Sequence, residues 1–469
     1  MLSMDGRSKK INYSMHKIPC DMRDHAVSHH VAAMRDILSS MGMTAVEKIL
    51  ARVSGLAQVR AGEIVHPTPD FVMIHDGVIT GAKQELDALG IQRLFDADRV
   101  MMVTDHDVLY NNERAVARGA FNRKAAQAWG VRNFFDAGQG GHGHVFPTER
   151  GLVSPGMFYF DNDRHCTNAG GIGALAIRVG ADIGRVLATG STWTVVPRTV
   201  KLTIEGQMQP GVYARDLGFV IGKALLPDGE FGVDIDYRIL EFAGALDQFS
   251  LAARVSLCST PTEVRAIGVF FPPSAAILAY ARERAQRPFT PVYPDSDAHY
   301  DAQVAMDVSK LEPQVALPGA PHKAADLASV AGTRVDHTFI GSCASSMYED
   351  LVIAASVLKG RRLAPGVRML VVPGSEDSTQ RMRHDGMLDI FQDAGAMILP
   401  AGCGPCASGR NGMVHAGEVS ISTAVANGAG RFGAKDAALY LASPATVAAS
   451  AVTGKITDPR EFVIREAVL

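Results

Sequence analysis

The sequence predicts an α/β protein built from parallel sheets with helices packed on their faces. Short apolar runs alternate with helical patterns, and several of these runs end in polar or glycine-rich segments. Buried parallel strands with ligand-binding groups at their carboxyl ends have this pattern. Glycine is frequent, at 46 of 469 residues, and it allows the close backbone approaches that ligand sites need. At about 100–200 residues per domain, the length predicts two to four domains.

Composition excludes several classes of protein. Hydrophobic residues make up 47% of the chain and the formal net charge is −3, which argues against a largely disordered chain and against a phosphate-binding surface for nucleic acid. No apolar run approaches the about 20 residues that a membrane helix needs. Six cysteines in so long a chain are not a secreted disulfide framework, and the N-terminus lacks the apolar core of a signal peptide. We therefore expect a cytoplasmic protein with reduced thiols.

In the first part of the chain, a helix is predicted from Met43 to Leu56, with Thr44 as N-cap and Gly55 as its end. Three apolar runs that lead into polar segments predict strands at Phe71–Ile74, Val100–Val103 and Met157–Phe160. The polar segments that follow them are His75–Gly77, Thr104–Asp107 and Asp161–Asn168. The glycine-rich stretch from Ala169 is expected to open a helix through about Val179.

The middle of the chain is less regular. Strands are predicted at Thr199–Ile204 and Phe231–Ile235, with helical patterns around 216–224 and 262–268. Residues 286–334 are rich in Pro, Asp, Ala and His and have little periodicity, so they are interpreted as a long linker.

The last third has the clearest strand–helix alternation. Strands are predicted at Phe339–Ile340, Arg368–Val372 and Met397–Leu399. One helix is predicted at 346–359, and a second helix follows the middle strand and runs to residue 392. The first of these strands leads into Cys343, and the third leads into Cys403 and Cys406. The three thiols are therefore expected at one edge of the same sheet.

The Cys403-Gly-Pro-Cys406 motif alone can be interpreted as a redox pair, as half of a zinc site, or as a coincidence. Three thiols at one sheet edge are more specific. A structural zinc site would need a fourth protein ligand, and no second C-x-x-C motif is present. An iron–sulfur cluster held by three thiolates would leave one iron open to act as a Lewis acid.

Several motifs occur together and in order. Phe339-Ile-Gly-Ser-Cys343, Pro373-Gly-Ser-Glu376, Gly402-Cys403-Gly-Pro-Cys406 and Gly417–Thr423 follow Thr104-Asp105-His106, Gly143-His144-Val145 and Asp163-Arg-His165. In this arrangement the chain resembles the aconitase / 3-isopropylmalate dehydratase family, in its large, cluster-binding subunit, from about residue 43 to 465.

The resemblance implies a [4Fe–4S] cluster held by Cys343, Cys403 and Cys406. Cys20, Cys166 and Cys258 match no motif of the family and are expected to be structural.

The resemblance also implies catalytic histidines paired with carboxylates: Asp105 with His106, Asp163 with His165, and Glu263 as the partner of His144. A carboxylate on one ring nitrogen fixes the tautomer and raises the basicity of the other. We expect His106 to protonate the leaving hydroxyl, and His144 and His165 to orient water and substrate.

For substrate binding, the resemblance implicates Asn168 and Arg431, while Asp76 is interpreted as a strand-end cap. The chain departs from the family at Arg164, where a small hydroxyl residue is usual, and at Ala344-Ser345 and Val425-Ala426, which replace Thr-Asn and Asn-Arg pairs. Loss of that arginine removes a bidentate carboxylate clamp. Arg164 is predicted to supply a guanidinium from another direction, so the chemistry would be kept while the substrate differs.

The resemblance predicts three related α/β domains around the cluster. The predicted boundaries are 1–42 for an N-terminal extension, 43–196 for domain 1, 197–310 for domain 2 with its linker, and 311–469 for domain 3. The family's swivelling fourth domain, which carries a catalytic serine, is expected to be missing and to come from a small-subunit partner.

The predicted function is dehydration and hydration of a small 2-hydroxy di- or tricarboxylic acid, such as a 3-isopropylmalate-like substrate. One alternative is a non-catalytic family member that senses iron or binds RNA, which the histidine–carboxylate pairs and the lack of basic excess oppose. Another is a thiol–disulfide or zinc protein that uses Cys403 and Cys406 alone, which leaves Cys343 unexplained.

Overall fold

The computed structural model describes residues 41–407 and 411–462. Residues 1–40 of the predicted N-terminal extension, with Cys20, lie outside the described residues. The strands, in chain order, are β1 (Ile64–Val65), β2 (Phe71–His75), β3 (Val100–Val103), β4 (Asn133–Phe135), β5 (Phe158–Asp161), β6 (Leu175–Arg178), β7 (Thr194–Val195), β8 (Thr199–Glu205), β9 (Ile239–Gly244), β10 (Gly268–Phe270), β11 (Ala302–Asp307), β12 (Gln314–Ala316), β13 (Ala324–Asp326), β14 (His337–Ile340), β15 (Arg368–Val371), β16 (Met397–Ile398), β17 (Val419–Ser422) and β18 (Ala438–Leu441).

The α-helices lie between these strands. In chain order they are α1 (Ala45–Ser54), α2 (Asp76–Ala88), α3 (Glu113–Trp129), α4 (Phe146–Glu149), α5 (Ile183–Thr189), α6 (Ala214–Ala224), α7 (Leu251–Glu263), α8 (Ala275–Arg284), α9 (Tyr348–Leu358), α10 (Glu376–His384), α11 (Met387–Ala394) and α12 (Pro444–Thr453). None of the helices in the described part of the chain has the length and apolar character to span a bilayer.

Three larger sheets organise the described part of the chain. The first has the strand order β4-β3-β2-β5-β6 and is parallel throughout. The second, β10-β9-β8-β11, is also parallel. The third, β13-β12-β18-β17-β14-β15-β16, is parallel except at β12, which pairs antiparallel with both of its neighbours. These sheets confirm the predicted α/β class, whereas the domain boundaries stay a prediction.

One hydrophobic core joins the first and third sheets. It contains Met73 of β2 and Leu439 of β18, and α6 contributes Phe219. Cys343 and Val425 belong to the same core. The cysteine-bearing loops are therefore packed into the interior rather than exposed at a rim.

The first helix shows how local sequence sets an element boundary. The Thr44 hydroxyl accepts the backbone N–H of Glu47, and the Glu47 carboxylate accepts the backbone N–H of Thr44. This reciprocal capping satisfies N–H groups that the first helical turn leaves without partners. Helix α1 then ends at Gly55, as predicted.

The helix predicted after Ala169 is wrong. Residues Arg164–Ile172 form a 3₁₀-helix instead, and β6 follows it. Gly173, at a φ of 85°, ends the helical segment. The alanine-rich sequence beyond it is buried as a strand because it pairs with β5, and this tertiary pairing outweighs helix propensity.

Three predictions in the middle of the chain are also wrong. The strand predicted at Phe231–Ile235 is absent there, and the sheet uses β9 instead. The helix predicted at 262–268 spans the end of α7 and the start of β10. The segment 286–334 is no linker, because it contains β11, β12 and β13. In β11, half-buried residues alternate with exposed ones, and β13 is short, so the apolar signal of these strands is weak.

Candidate active site

A cavity of about 200 Å³ lies where loops that follow strands of the first and third sheets meet. All three cysteines of the predicted cluster line it. The lining residues are His106, His142, His144, Asp163, His165, Cys343, Cys403, Cys406, Ala407, Val425 and Arg431. Most of the predicted catalytic residues thus share one cavity with the predicted metal ligands.

The cysteines follow two strand ends of the third sheet. Cys343 lies three residues after β14, and a short 3₁₀ turn after β16 has Cys403 as its N-cap and Cys406 as its last residue. All three side chains are buried, and none of the cysteines in the described residues forms a disulfide. Burial raises the pKa of the Cys343 and Cys403 thiols, and the Cys406 sulfur raises both further.

Two of the sulfur atoms have nitrogen neighbours. His142 Nε2 lies 3.3 Å from Cys403 Sγ, and Arg431 Nη2 donates to Cys406 Sγ over 3.5 Å. The His142 Nδ1 atom accepts the backbone N–H of His144 over 3.2 Å. Burial lowers the pKa of His142, which favours a neutral ring. In a neutral ring whose Nδ1 accepts, the proton is on Nε2, the atom that faces the Cys403 sulfur.

Asp105 is the centre of the histidine network. Its carboxylate lies 3.0 Å from His75 Nδ1 and 2.8 Å from His106 Nδ1, and it accepts the backbone N–H of Gly143 over 2.9 Å. Burial alone would raise the pKa of Asp105, but the two imidazoles outweigh it and hold the pKa well below the ordinary range. Asp105 is therefore an anion that orients two rings.

His106 has a second carboxylate. Asp76 Oδ1 lies 3.0 Å from His106 Nδ1, and Asp76 Oδ2 accepts the backbone N–H groups of His106 and Asp107. Burial opposes the charged ring, yet Asp105 and Asp76 raise the pKa of His106 to about 10. Because both carboxylates engage Nδ1, the second ring nitrogen, Nε2, is the one available to a molecule in the cavity.

His144 is paired differently from the sequence expectation. Its Nε2 lies 3.1 Å from Asp161 Oδ2 and 3.1 Å from His75 Nε2, while its Nδ1 is buried without a hydrogen-bond partner among the described residues. The prediction that Glu263 is the partner of His144 is wrong. Glu263 ends α7, which packs on the 3₁₀-helix that begins at Arg164, and this packing brings it to His165 instead.

His165 is held at both ring nitrogens. Asp163 Oδ1 lies 3.1 Å from Nδ1, and Glu263 Oε1 lies 2.8 Å from Nε2. Burial lowers the pKa of His165, but the two carboxylates outweigh it and raise the pKa to about 9. His165 is thus an imidazolium at neutral pH with both protons engaged.

The predicted substrate-binding residues have separate positions. Arg431 lines the cavity, whereas Asn168 donates its Nδ2 to the Cys343 carbonyl oxygen over 2.9 Å. Arg164 has a side chain 52% exposed, with Nε 3.7 Å from Glu263 Oε1, and is not part of the lining. Val425 does line the cavity, so the departure from the family at this position changes its wall.

Sequence reasoning missed His75, His142 and Asp161 as site residues. His75 ends β2 and Asp161 ends β5, a neighbouring strand, so the sheet brings the two side chains together. For His142 the sequence did contain a signal, because the His142-Gly-His144 spacing places two imidazoles on one loop.

Main-chain contacts join the cysteine loop to the histidine loop. The backbone N–H of Cys403 donates to the Asp105 carbonyl oxygen over 2.9 Å. Gly402, at a φ of 154°, lies so close that a Cβ atom would be 2.8 Å from that oxygen. The approach therefore requires glycine, and it fixes the spacing of the two loops independently of their side chains.

In chemical terms, the site combines a charged imidazole that can donate a proton with sulfur and imidazole groups that can hold a metal. Two groups of possible ligands include a cysteine: one consists of His142, His144 and Cys343, and the other of Asp105, His142 and Cys403. In each group, the ligand atoms lie within 4.8 Å of one another.

Comparison with known proteins gives the family. A sequence model of the aconitase family (aconitate hydratase) matches residues 47–333 and 327–454. The chain is 39% identical to the 3-isopropylmalate dehydratase large subunit 1 of Methanopyrus kandleri, over 90% of this chain and 100% of that protein. It is 37% identical to the probable methanogen homoaconitase large subunit of Methanothermobacter thermautotrophicus, over 89% of this chain and 98% of that protein.

A solved structure is also similar. The holo-form of Thermococcus kodakaraensis aconitase X covers 83% of this chain and 92% of its own, with a TM-score of 0.47 and 12% identity. The sequence matches decide the family, because they run through almost the whole of the described chain. The chain belongs to the aconitase family of hydro-lyases.

Proposed function

We propose that this chain is the cluster-binding large subunit of a [4Fe–4S]-dependent hydro-lyase that acts on a small 2-hydroxy di- or tricarboxylic acid. The observation that carries the proposal is the single cavity lined by three buried cysteines and by histidines that are paired with carboxylates.

The residues present fit an iron–sulfur cluster. Cys343, Cys403 and Cys406 provide three thiols in one buried cavity, and thiolates are the usual ligands of such clusters. The N–H groups of His142 and Arg431 are directed at two of the sulfurs, and hydrogen bonds to sulfur tune these clusters. When bound, the cluster would supply an open iron as a Lewis acid for the hydroxyl and carboxylate of the substrate.

His106 is the proposed general acid. Asp105 and Asp76 hold its Nδ1, and with a pKa of about 10 the ring carries a second proton on Nε2 at neutral pH. This proton is available to a departing hydroxyl, while the two carboxylates fix the ring plane.

The other histidines orient and do not exchange protons in this proposal. His165 has both nitrogens engaged, so it acts as a fixed positive charge beside the substrate. His144 is held at Nε2 and leaves its buried Nδ1 free to bind a polar group in the cavity. Together these side chains give the cavity a fixed positive charge and one unengaged ring nitrogen for an anionic substrate.

The substrate is proposed to be a hydroxy acid with a carboxylate and an apolar substituent, as in a 3-isopropylmalate-like compound. Arg431 supplies a cation in the cavity wall, and Val425 supplies an apolar surface there. The names of two relatives, a 3-isopropylmalate dehydratase and a probable homoaconitase, support this class of acid.

A partner chain is proposed to supply the general base. Relatives whose whole length the chain matches are named large subunits, which supports a small subunit that carries the serine base expected from the resemblance. The second subunit would also close the cavity against water.

The test is anaerobic purification of the chain followed by measurement of iron and absorbance. A brown protein with about four irons per chain is expected, and Cys403→Ser should abolish the absorbance. Cys258→Ser is the matched control, because Cys258 is equally buried but lies in α7 outside the cavity. Bound zinc, or a colourless protein that binds RNA, would refute the proposal, as would normal iron content in Cys403→Ser.

A further inference from the structure

Arg215 is a fully buried arginine for which the described part of the chain provides no acidic partner. It is 1% exposed and lies in the first turn of α6, with its guanidinium carbon 4.8 Å from the ring centroid of Phe219. Its Nη2 atom donates to the carbonyl oxygen of Ala424. Its Nε and Nη1 atoms have no hydrogen-bond partner within the described residues.

An unpaired buried charge is unfavourable, so its retention needs an explanation. Arg215 is anchored to Ala424, the residue before Val425, which lines the cavity. Arg215 itself is not part of the lining. It therefore lies behind the cavity wall, where it can act on charge in the site without contacting substrate.

The groups that hold Arg215 belong to the core that contains the cysteines: Phe219, over whose ring the guanidinium lies, and Ala424, to which it donates, share one hydrophobic core with Cys343 and Cys406. Burial lowers the pKa of Arg215 to about 10, so the side chain remains a cation at neutral pH. Among the groups that oppose this decrease, Cys343 and Cys406 act more strongly than Glu263 or Asp350.

We propose that Arg215 is the fixed counter-charge of the cysteine site: its guanidinium stabilises the negative charge of the iron–sulfur cluster held by Cys343, Cys403 and Cys406. This inference rests on the proposed function. A neighbouring cation favours binding of an anionic cluster, and it favours the reduced form, which carries one more negative charge. Arg215 is thus a positioning residue for the cofactor rather than a catalytic one.

Arg254 provides a matched control. It is also fully buried and also has a pKa lowered to about 10 by burial. However, each of its nitrogens donates to a carbonyl oxygen, those of Phe249, Pro272 and Leu246, at 3.1–3.2 Å. Its surroundings account for its charge fully, without any group in the cavity.

The experiment compares Arg215→Met and Arg215→Lys with the wild type, all reconstituted anaerobically. In a dithionite titration followed by electron paramagnetic resonance, Arg215→Met should shift the reduction equilibrium about tenfold toward the oxidised cluster, which is about 59 mV for one electron. Iron release to a chelator should also be faster in Arg215→Met, and Arg215→Lys should restore both properties because it keeps the charge.

The iron-free proteins separate this role from a structural one. Without a cluster, Arg215→Met should lower the melting temperature less than Arg254→Met does, because it loses one hydrogen bond, to Ala424, and removes two N–H groups that have no partner within the described residues. Arg254→Met should lower it with or without the cluster and leave the potential unchanged. An unchanged potential in a reconstituted Arg215→Met overturns the inference, as does an Arg215→Met chain that fails to fold without iron while Arg215→Lys folds. A wild type that binds no iron overturns the proposed function itself.

Discussion

The ion pair between His165 and Glu263 gives the sharpest test of the site geometry. Glu263→Gln preserves the size of the side chain and its carbonyl oxygen but removes the charge. The two side chains are 12% and 8% exposed, and the bonded atoms are 2.8 Å apart. Loss of a charge-assisted hydrogen bond in such a place costs ~1.5–3 kcal/mol. The larger free-energy cost of leaving a buried charge without any partner does not apply here, because Asp163 Oδ1 remains 3.1 Å from His165 Nδ1.

The effect should depend on pH in a defined direction. The pKa of His165 is raised in the folded protein to about 9, above its ordinary value of 6.5. Its contribution to stability is therefore complete below pH 6.5 and is lost as the pH rises through about 9. The destabilisation by Glu263→Gln should be largest near pH 6–7 and should shrink toward pH 10.

The assay is urea unfolding followed by circular dichroism, on protein without a reconstituted cluster so that metal release does not couple to unfolding. Glu283→Gln is the control, because Glu283 is 72% exposed and pairs with Arg284 at the surface, where such pairs contribute about 0.2–1 kcal/mol. An effect of Glu263→Gln that matches the control, or that is the same at pH 6.5 and pH 10, would show that His165 is not held as an imidazolium.

Three further predictions concern activity, two with the complete enzyme and one with the chain alone. His106→Gln should lower kcat by about 10²–10⁴-fold, and the wild-type kcat/KM should fall as the pH rises through about 10, where His106 loses its proton; a kcat within twofold of wild type would remove His106 as the acid. Arg164→Ser should lower kcat/KM by roughly 10–150-fold if its guanidinium binds a substrate carboxylate, whereas unchanged kinetics would mean that Arg164 serves only its contact with Glu263. The chain purified with its cluster but without a partner should show negligible hydratase activity until a small-subunit homologue is added, and full turnover by the chain alone would refute the need for a partner.

Much of the fold could be predicted because local signals and tertiary structure agree. The apolar runs at β2, β3 and β14 are buried strands. β3 and β14 lead into the polar and cysteine-bearing loops that the sequence indicated, whereas β2 runs directly into α2 at Asp76. The predictions failed where the local signal was misleading or weak. Residues 175–178 have helix-forming composition but pair with β5, and β11 alternates half-buried and exposed residues, so its apolar signal was weak.

The site shows the same division between local and long-range information. The contacts of Asp105 with His106 and of Asp163 with His165 join residues close in sequence, and the motifs indicated both. The pairing of Glu263 with His165 spans 98 residues, and that of His142 with Cys403 spans 261. Such pairs are created by packing between helices and sheets, so no spacing rule could have assigned them.

The backbone contact between Cys403 and Asp105 has a consequence for how this protein can evolve. The spacing of the cysteine and histidine loops is set by an N–H, a carbonyl oxygen and Gly402, none of which depends on the identity of a cavity side chain. Positions such as Val425 in the wall can therefore be exchanged without moving His106 relative to the thiols. A lineage with this framework can change the wall of the cavity by single substitutions while the spacing of the cysteine and histidine loops is inherited unchanged.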